Sequence, residues 1–252
     1  MSRDLEGLRA LVTGGTRGIG RGIVDTLVAR GATVVASGRD VEAGAALASS
    51  VPEVQFLPAD LRDTASVAAL VAGAVQALGG LDILCHCAGI YPEHPIGSML
   101  DGDWHDVLDT NLTSAMALVR AALPALRASP SPRVVLVSSI SGPRTGISGL
   151  THYCASKSGL EGFARAAAVE LAGSGITVNC VAPGTILTEG LAALYSEPGV
   201  MDDVVGRIPA ARIGSPADIG NAVAFLASPA SSFVTGQSIT VDGGQTLPEV
   251  QG

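Results

Sequence analysis

The chain has 252 residues, of which 47% are hydrophobic and 15% charged, and its formal net charge is −8. This supplies enough apolar material for a large core, and an acidic chain lacks the basic surface that nucleic-acid binding requires. No apolar run approaches the ~20 residues of a membrane span, and the N-terminus lacks the pattern of a signal peptide. We therefore expect a cytoplasmic protein with neither a nucleic-acid nor a membrane partner.

Short apolar segments alternate with amphipathic segments along the first third of the chain. The predicted order is strand 8–13, helix 18–30, strand 32–37, helix 41–50, strand 54–57, helix 64–78 and strand 81–85. This alternation predicts βαβ units and a parallel sheet. The predicted strands are apolar along their whole length, which is typical of a sheet covered on both faces.

The same alternation continues to the end of the chain. The predicted order is helix 103–127, strand 134–137, a helix ending near 171, strand 176–181, helix 217–227 and strand 238–241. Pro124 should kink or end its helix. Residues 185–215 read as a looser substrate lid that contains several glycines. No linker or repeat divides the sequence. We predict one α/β domain over 1–252, a Rossmann-like, doubly wound parallel sheet with helices on both faces.

The four cysteines, Cys85, Cys87, Cys154 and Cys180, do not form a metal-binding pattern. They include no CxxC pair, whereas a structural zinc site needs four converging ligands. We expect buried free thiols in a reducing compartment, and no metal site.

A glycine-rich turn, Thr13-Gly14 to Gly18-Ile19-Gly20, follows the first predicted strand and precedes a helix. Glycines permit positive φ angles and let the backbone approach a pyrophosphate, whose charge then rests on the helix N-terminus. The spacing differs from the usual GxGxxG, but the position between a strand and a helix predicts a dinucleotide site.

The end of the second predicted strand indicates which dinucleotide binds. NAD sites usually place an acid there to hold the ribose 2′-hydroxyl, but this chain has Gly38 followed by Arg39. A guanidinium would bind a 2′-phosphate, and Arg17 could reach the same group. We therefore favour NADP(H), with NAD(H) as the alternative. Asp40 argues for NAD(H), and Arg39 could also be a solvated loop residue.

Two further segments at predicted strand ends suit a nucleotide. Asp60 could accept a hydrogen bond from the adenine amino group or cap the next helix, although Asp63 suits the cap better. Ala88-Gly89 offers a small surface against a ribose.

Four polar residues are candidates for catalysis. Tyr153 and Lys157 lie four residues apart, on one face of a predicted helix. A cation beside a phenol favours the phenolate and makes the hydroxyl a usable acid or base. The pair alone also fits an ordinary amphipathic helix. Ser139 ends a strand, and Asn111 lies within a predicted helix, where asparagine is unfavourable unless its side chain has a task.

Together these motifs resemble the short-chain dehydrogenase/reductase family over nearly the whole chain. The segments that carry the resemblance are Thr13-Gly14, Gly18-Ile19-Gly20, Ala88-Gly89, Asn111, Ser139, Tyr153 with Lys157, Pro183-Gly184 and Val241-Asp242-Gly243-Gly244. Within the family, the chain is most similar to bacterial 3-oxoacyl-[acyl-carrier-protein] reductases.

The resemblance implies a role for each catalytic candidate. Ser139 would orient a substrate carbonyl and stabilise its developing oxyanion, and Tyr153 would give or take the proton. Lys157 would lower the tyrosine pKa and hold the nicotinamide ribose, and Asn111 would hold a water that continues the proton relay. The implied cofactor contacts are Gly14, Thr16, Arg17, Gly18, Ile19, Gly20, Arg39, Asp60, Leu61, Cys87, Ala88, Gly89, Tyr153, Lys157, Pro183, Gly184, Ile186 and Thr188.

The implied activity is the reversible, NADP(H)-dependent reduction of a small-molecule carbonyl to a secondary alcohol, with a 3-oxoacyl thioester as one candidate substrate. An acidic carrier protein would need basic residues around the entrance of the substrate site, and Arg144 and Arg207 are weak candidates for this role. The alternatives are an alcohol, polyol or steroid dehydrogenase of the same family, an isomerase or dehydratase, and a non-catalytic cofactor-binding protein.

The sequence departs from the family pattern at two places. His86-Cys87 stands where the family usually has two asparagines, and a structural role for His86 ranks ahead of a catalytic one. The interval between Ser139 and Tyr153 is also longer than in many relatives, which adds slack to the loop 141–151.

The remaining histidines, His94, His105 and His152, are interpreted as surface or rim residues, and His152 could touch the substrate. The family is usually tetrameric or dimeric. The small-residue segment 159–171 is the candidate interface of a homotetramer or dimer, although the same residues could instead pack within one subunit.

Overall fold

The described residues of this computed structural model, 3–194 and 199–248, form a seven-stranded sheet in which every neighbouring pair is parallel. The strand order is β3-β2-β1-β4-β5-β6-β7. The strands are β1 Arg9–Thr13, β2 Thr33–Gly38, β3 Val54–Pro58, β4 Ile83–His86, β5 Arg133–Val137, β6 Thr177–Pro183 and β7 Ser238–Val241.

Helices connect the strands and cover both faces of the sheet. They are α1 Gly18–Ala29, α2 Val41–Ser50, α3 Thr64–Leu78, α4 Asp101–Leu108, α5 Ser114–Arg127, α6 Thr151–Leu171, α7 Glu189–Leu194, α8 Val200–Gly206 and α9 Pro216–Ala227. A five-residue π-helical turn, Asp109–Thr113, joins α4 to α5 and is called the π segment below. No helix in the described ranges is both long and apolar enough to cross a membrane.

Two apolar cores lie on opposite faces of the sheet. Leu11, on β1, packs with α3, α5 and α6, whereas its neighbours Ala10 and Val12 pack with α1 and α9. Side chains alternate along a strand, so a strand covered on both faces must be apolar at every position. The predicted doubly wound α/β architecture is confirmed.

Most predicted elements lie within a few residues of their observed bounds, but the helix predicted over 103–127 is not continuous. It begins at Asp101 and is interrupted by the π segment. It ends at Arg127 as predicted, so Pro124 lies within α5 and does not end it. A π-helical turn has no signature in hydrophobic periodicity, so the pattern showed one continuous helix.

The segment 185–215, predicted to be loose, contains the short helices α7 and α8, and residues 195–198 of the proposed lid lie outside the described ranges. Ile186 forms a bridge with Gly214, and Ile186 is buried in the core. The first residues after β6 are therefore fixed to the body of the domain.

The carboxyl ends of the central strands meet at one edge of the sheet. The strand order reverses between β1 and β4, which is where open parallel sheets bind ligands. Four of the predicted site segments lie at this edge, because each directly follows a strand. They are the glycine turn after β1, Cys87-Ala88 after β4, Ser138-Ser139 after β5 and Gly184 after β6.

Candidate active site

Lys157 is a buried cation without a carboxylate partner among the described residues. Its Nζ donates a hydrogen bond to the Val137 carbonyl at 2.8 Å, and only 4% of the residue is exposed. Burial disfavours the charged form and lowers the pKa of Lys157 to about 8. The same Nζ lies 5.7 Å from the centroid of the Tyr153 ring, so the ammonium is held against the predicted proton donor.

Tyr153 is protonated at neutral pH in this structure. Burial raises the pKa of its phenol, and an interaction with the Ser139 hydroxyl acts in the opposite direction. The Ser139 Oγ also accepts a hydrogen bond from the Ser141 backbone N–H at 3.0 Å, which orients the hydroxyl. The resemblance implied that Lys157 lowers the pKa of the phenol, but in this structure burial is the largest influence and raises that pKa.

Asn111 lies in the π segment and is wholly buried. Its Oδ1 accepts a hydrogen bond from the Ile90 N–H at 2.8 Å, and its Nδ2 donates to the Ile90 carbonyl at 2.9 Å and to Ser156 Oγ at 3.1 Å. These hydrogen bonds hold the segment after Gly89 against α6. The role of Asn111 in a water relay stays a prediction.

The glycine turn fits a pyrophosphate. The first turn of α1 has neither a side-chain cap nor an acidic residue, so its backbone N–H groups are available to an anion. By contrast, Asp40, Asp63 and Ser215 cap α2, α3 and α9. Gly14 has a φ of 67°, and a Cβ there would lie 2.7 Å from the Ala88 Cα, so the turn packs directly against the segment after β4.

Arg17 and Arg39 are exposed on this side of the domain, and neither forms an ion pair within the described ranges. Asp40 accepts a hydrogen bond from the Ala43 N–H at 3.0 Å as the cap of α2. The Asp40 carboxylate, which was the argument for NAD(H), is therefore used as the cap of α2.

Asp60 forms an ion pair with Arg62 at 2.7 Å, and the hydrogen bond from Arg62 lowers the pKa of the Asp60 carboxyl to about 2. Asp63 caps α3, as the sequence favoured. The sequence analysis did not identify Arg62 as the partner of Asp60. The signal that could have identified it is its position two residues after Asp60. Leu61 beside it is largely buried.

The segment after β6 lies against the glycine turn. The Thr188 Cγ2 is 3.3 Å from the position that a Cβ on Gly18 would occupy, and Thr188 Oγ1 accepts a hydrogen bond from the Leu191 N–H at 3.3 Å. Gly184 packs tightly on Asp242, where a Cβ would lie 2.6 Å from the aspartate Cβ. The predicted cofactor residues at both strand ends are thus brought together.

The interpretation of His152 as a surface or rim residue is wrong. The residue is wholly buried, and neither ring nitrogen has a hydrogen-bond partner. Its ring packs edge to face on His94, with centroids 5.7 Å apart, and His94 Nδ1 lies 3.4 Å from an Asp103 oxygen. His152 precedes Tyr153 by one position, and adjacent helical residues point in different directions, so the place of Tyr153 at the site does not fix the exposure of its neighbour. His105 is exposed as predicted.

Arg144 is not free to form a basic rim. Its guanidinium pairs with the buried Glu161 at 3.0 Å, and Ser138 and Ser238 donate hydrogen bonds to the same carboxylate oxygen. Sequence reasoning also missed Glu161, because its partners come from segments distant in the chain. Arg207 is exposed.

Tyr91 is a further residue that sequence reasoning missed. Its ring packs edge to face on Tyr153, with centroids 5.9 Å apart, and about half of the residue is exposed. Its position two residues after Gly89 was the signal that could have identified it.

The four cysteines are free thiols, but Cys87 and Cys154 are only partly buried. Within the described part of the chain, no three His, Cys, Asp or Glu side chains converge to hold a metal ion.

The candidate interface on α6 divides into two faces. Ala164, Ala167 and Ala168 are buried within this chain, so for them the packing alternative holds. Ala166 and Val169 are exposed, and 83% of Val169 is accessible. A dimer or tetramer stays a prediction.

Known proteins resemble this chain along almost all of its length. A family profile described as Enoyl-(Acyl carrier protein) reductase matches residues 14–246. The 3-oxoacyl-[acyl-carrier-protein] reductase of Vibrio harveyi is 38% identical over 245 residues, covering 97% of this chain and 99% of the relative. Nodulation protein G of Rhizobium sp. (strain N33) is 40% identical over 248 residues, with the same two shares covered.

Solved structures agree with this. A chain from Sinorhizobium meliloti 1021, described provisionally as a short-chain alcohol dehydrogenase, has a TM-score of 0.91 and 35% identity, covering 97% of this chain and 98% of its own. A chain from Agrobacterium tumefaciens, described provisionally as a gluconate dehydrogenase, has a TM-score of 0.92 and 31% identity, covering 99% of this chain and 100% of its own. The fold and site define a nicotinamide-dependent oxidoreductase. The chain belongs to the short-chain dehydrogenase/reductase family.

Replacing His152 with leucine tests whether its ring is truly unpartnered. Burying polar atoms without partners costs free energy, so His152→Leu should raise the free energy of unfolding by about 1 kcal/mol near pH 8. Burial lowers the pKa of His152, so the unfolded chain takes up a proton more readily as the pH falls below about 6.5. The free energy of unfolding of wild type therefore falls on acidification, whereas that of the variant does not fall for this reason. The difference between the two should be larger near pH 5.5 than near pH 8.

Urea unfolding at both pH values measures the effect of His152→Leu. His105→Leu, on the exposed side of α4, is the control and should show neither effect. A His152→Leu variant that is less stable than wild type at both pH values would mean that the ring has a stabilising partner.

Proposed function

We propose that this protein is an NADP(H)-dependent carbonyl reductase that converts a ketone reversibly to a secondary alcohol. The observation that carries the proposal is the cluster formed by Tyr153, Ser139 and Lys157, in which a protonated phenol interacts with the Ser139 hydroxyl and lies against a buried cation. When bound, NADPH supplies the hydride. The protein supplies the proton and stabilises the charge that develops on the oxygen.

Each residue of the cluster has a distinct task in reduction. The Ser139 hydroxyl, oriented by the Ser141 N–H, donates a hydrogen bond to the carbonyl oxygen and Tyr153 transfers its proton to it. Proton transfer leaves a phenolate next to the Lys157 ammonium. An ammonium held in place beforehand stabilises this charge without reorganisation. The nicotinamide ribose would bind beside Lys157 and Gly89. These two residues are close together, since a Cβ on Gly89 would lie 3.5 Å from Lys157 Nζ.

The preference for NADP(H) is supported by the charges at the end of β2. Arg17 and Arg39 carry guanidinium groups that form no ion pair within the described ranges, and Gly38 stands where an NAD site would place its acid. Asp40 is used as a helix cap. NAD(H) is the alternative.

An apolar ketone is the substrate class that the surrounding loops favour. Tyr91, Ile147 and Leu187 are large exposed apolar residues, and they lie in the loops after β4, β5 and β6. These loops begin at the edge that carries Tyr153. A 3-oxoacyl thioester fits such a surface better than a polyol does. Because Arg144 is paired with Glu161, a carrier protein would have to contact other cations.

A substrate panel distinguishes these candidates. We expect NADPH oxidation with 3-oxoacyl thioesters and other apolar ketones, and weaker turnover with polyols in the reverse direction. Turnover of polyols alone would favour a polyol dehydrogenase. Binding of NADPH without turnover of any compound in the panel would favour the non-catalytic alternative.

Removing the Tyr153 hydroxyl tests the proton donor. Tyr153→Phe keeps the ring and its packing on Tyr91, so the affinity for NADPH should change little. The kcat for ketone reduction should fall by at least about 100-fold, the scale of general acid catalysis. Steady-state rates and fluorescence titration with NADPH measure the two quantities. Tyr91→Phe is the matched control, and we expect it to retain most activity. Undiminished reduction by Tyr153→Phe would refute the role of Tyr153.

Removing the Arg39 guanidinium tests the preference for NADP(H). Charge-assisted hydrogen bonds contribute ~1.5–3 kcal/mol, so Arg39→Ala should lower kcat/KM for NADPH by about 10- to 100-fold. The value for NADH should stay near that of wild type. Arg21→Ala removes a nearby arginine that is paired with Asp25 and should affect neither cofactor. A wild-type enzyme that prefers NADH would contradict the assignment.

A further inference from the structure

His86 connects two parts of the site that are far apart in the sequence. Its ring is buried at the end of β4. The Nδ1 atom lies 2.8 Å from Thr13 Oγ1, at the end of β1, and the Nε2 atom lies 3.2 Å from Ser114 Oγ, directly after the π segment. One imidazole therefore spans the interval between the glycine turn and the segment that carries Asn111.

The neighbouring hydrogen bonds determine which ring nitrogen carries the proton. Ser114 Oγ donates its hydrogen to the Thr110 carbonyl at 2.6 Å, so it can only accept from His86, and Nε2 is the donor. Thr13 Oγ1 accepts from the Ala88 N–H at 3.4 Å, which leaves its own hydrogen for the unprotonated Nδ1. The result is one continuous chain of donors that runs from Ala88 N–H to the Thr110 carbonyl.

We propose that His86 is a positioning residue, a neutral Nε2–H imidazole that fixes the cofactor-side turn at Ala88 relative to the π segment. The inference rests on the proposed function. His86 itself does not touch the reacting atoms. It acts through Thr13 and Ala88 at one end and through Ser114 and the π segment at the other.

The environment of the ring keeps it neutral. Burial lowers the pKa of His86 to about 3, the Lys157 cation lowers it further, and an interaction with the Asn111 backbone acts in the opposite direction. A second ring proton would also place an N–H donor against Thr13 Oγ1, whose hydrogen already points at that nitrogen. The hydrogen-bond directions and the nearby positive charge thus favour the same protonation state.

The π segment is where the positioning matters for chemistry. The Ser114 hydroxyl donates a hydrogen bond to the Thr110 carbonyl across the widened turn. Within that turn, the oxygen and the nitrogen of the Asn111 side-chain amide both bond to the Ile90 backbone. Ile90 immediately precedes Tyr91, which packs on Tyr153. A shift of the π segment would therefore move the wall of the substrate site.

Two amide substitutions separate the two ends of the chain of hydrogen bonds. His86→Asn places a short amide near the Nδ1 position, so it keeps the bond to Thr13 and loses the bond to Ser114. His86→Gln places an amide near the Nε2 position, so it keeps Ser114 and loses Thr13. A histidine satisfies both partners because its two nitrogens lie on different sides of one rigid ring.

The two variants should fail in different ways. His86→Asn should lower kcat by about fivefold, the ratio given by the net free energy of one hydrogen bond, while the Kd for NADPH stays unchanged. His86→Gln should raise the Kd for NADPH by a similar factor and leave kcat at saturation nearly unchanged. Ser114→Ala should reproduce the effect of His86→Asn, and the double variant should be no worse than either single one.

A spectroscopic measurement on the wild-type protein completes the test. The ¹⁵N NMR shifts of His86, assigned by their loss in His86→Asn, should show a neutral Nε2–H tautomer that persists to about pH 5. A protonated ring, an Nδ1–H tautomer, or equal effects of both amides on kcat and Kd would overturn the proposal. If wild type reduces no carbonyl, the proposed function fails, while the tautomer and the Kd for NADPH still decide the role of His86.

Discussion

A buried cation that forms no ion pair with any described residue is the constraint around which this edge of the sheet is arranged. Lys157 has the Val137 carbonyl as its partner, and Glu161, one helical turn further along α6, is committed to Arg144. An uncompensated buried charge is unfavourable, and the lowered pKa of Lys157 reflects that cost. We infer that the site keeps this charge for a negative group that forms during catalysis, the Tyr153 phenolate.

The groups around Lys157 are neutral in the resting site. Burial raises the pKa of Tyr153 and raises the pKa of the Cys87 thiol to about 12, while burial and the lysine charge together lower the pKa of His86. A neutral His86 can bridge Thr13 and Ser114 without repelling Lys157. A histidine in place of the family's usual asparagine is thus compatible with the Lys157 cation, because the buried ring stays neutral.

Local signals in the sequence were sufficient for the sheet and for the ends of its strands. Continuous apolar strands indicated two covered faces, and the glycine turn, Ser139 and the Tyr153–Lys157 pair lay where a parallel sheet places its ligands. What could not be predicted depends on tertiary contacts. The π segment leaves the apolar pattern intact, and the burial of His152 and the pairing of Arg144 with Glu161 depend on elements distant in the sequence.

The most direct test of the central claim is the single-turnover rate of ketone reduction by Lys157→Met, measured at saturating NADPH and ketone. Methionine fills the buried space without a charge, so Tyr153 keeps its position but loses the cation that stabilises its phenolate. We predict that the rate falls by at least about 100-fold, the scale for removal of one preorganised electrostatic contact. A folded, NADPH-saturated variant that turns over at nearly the wild-type rate would contradict the account.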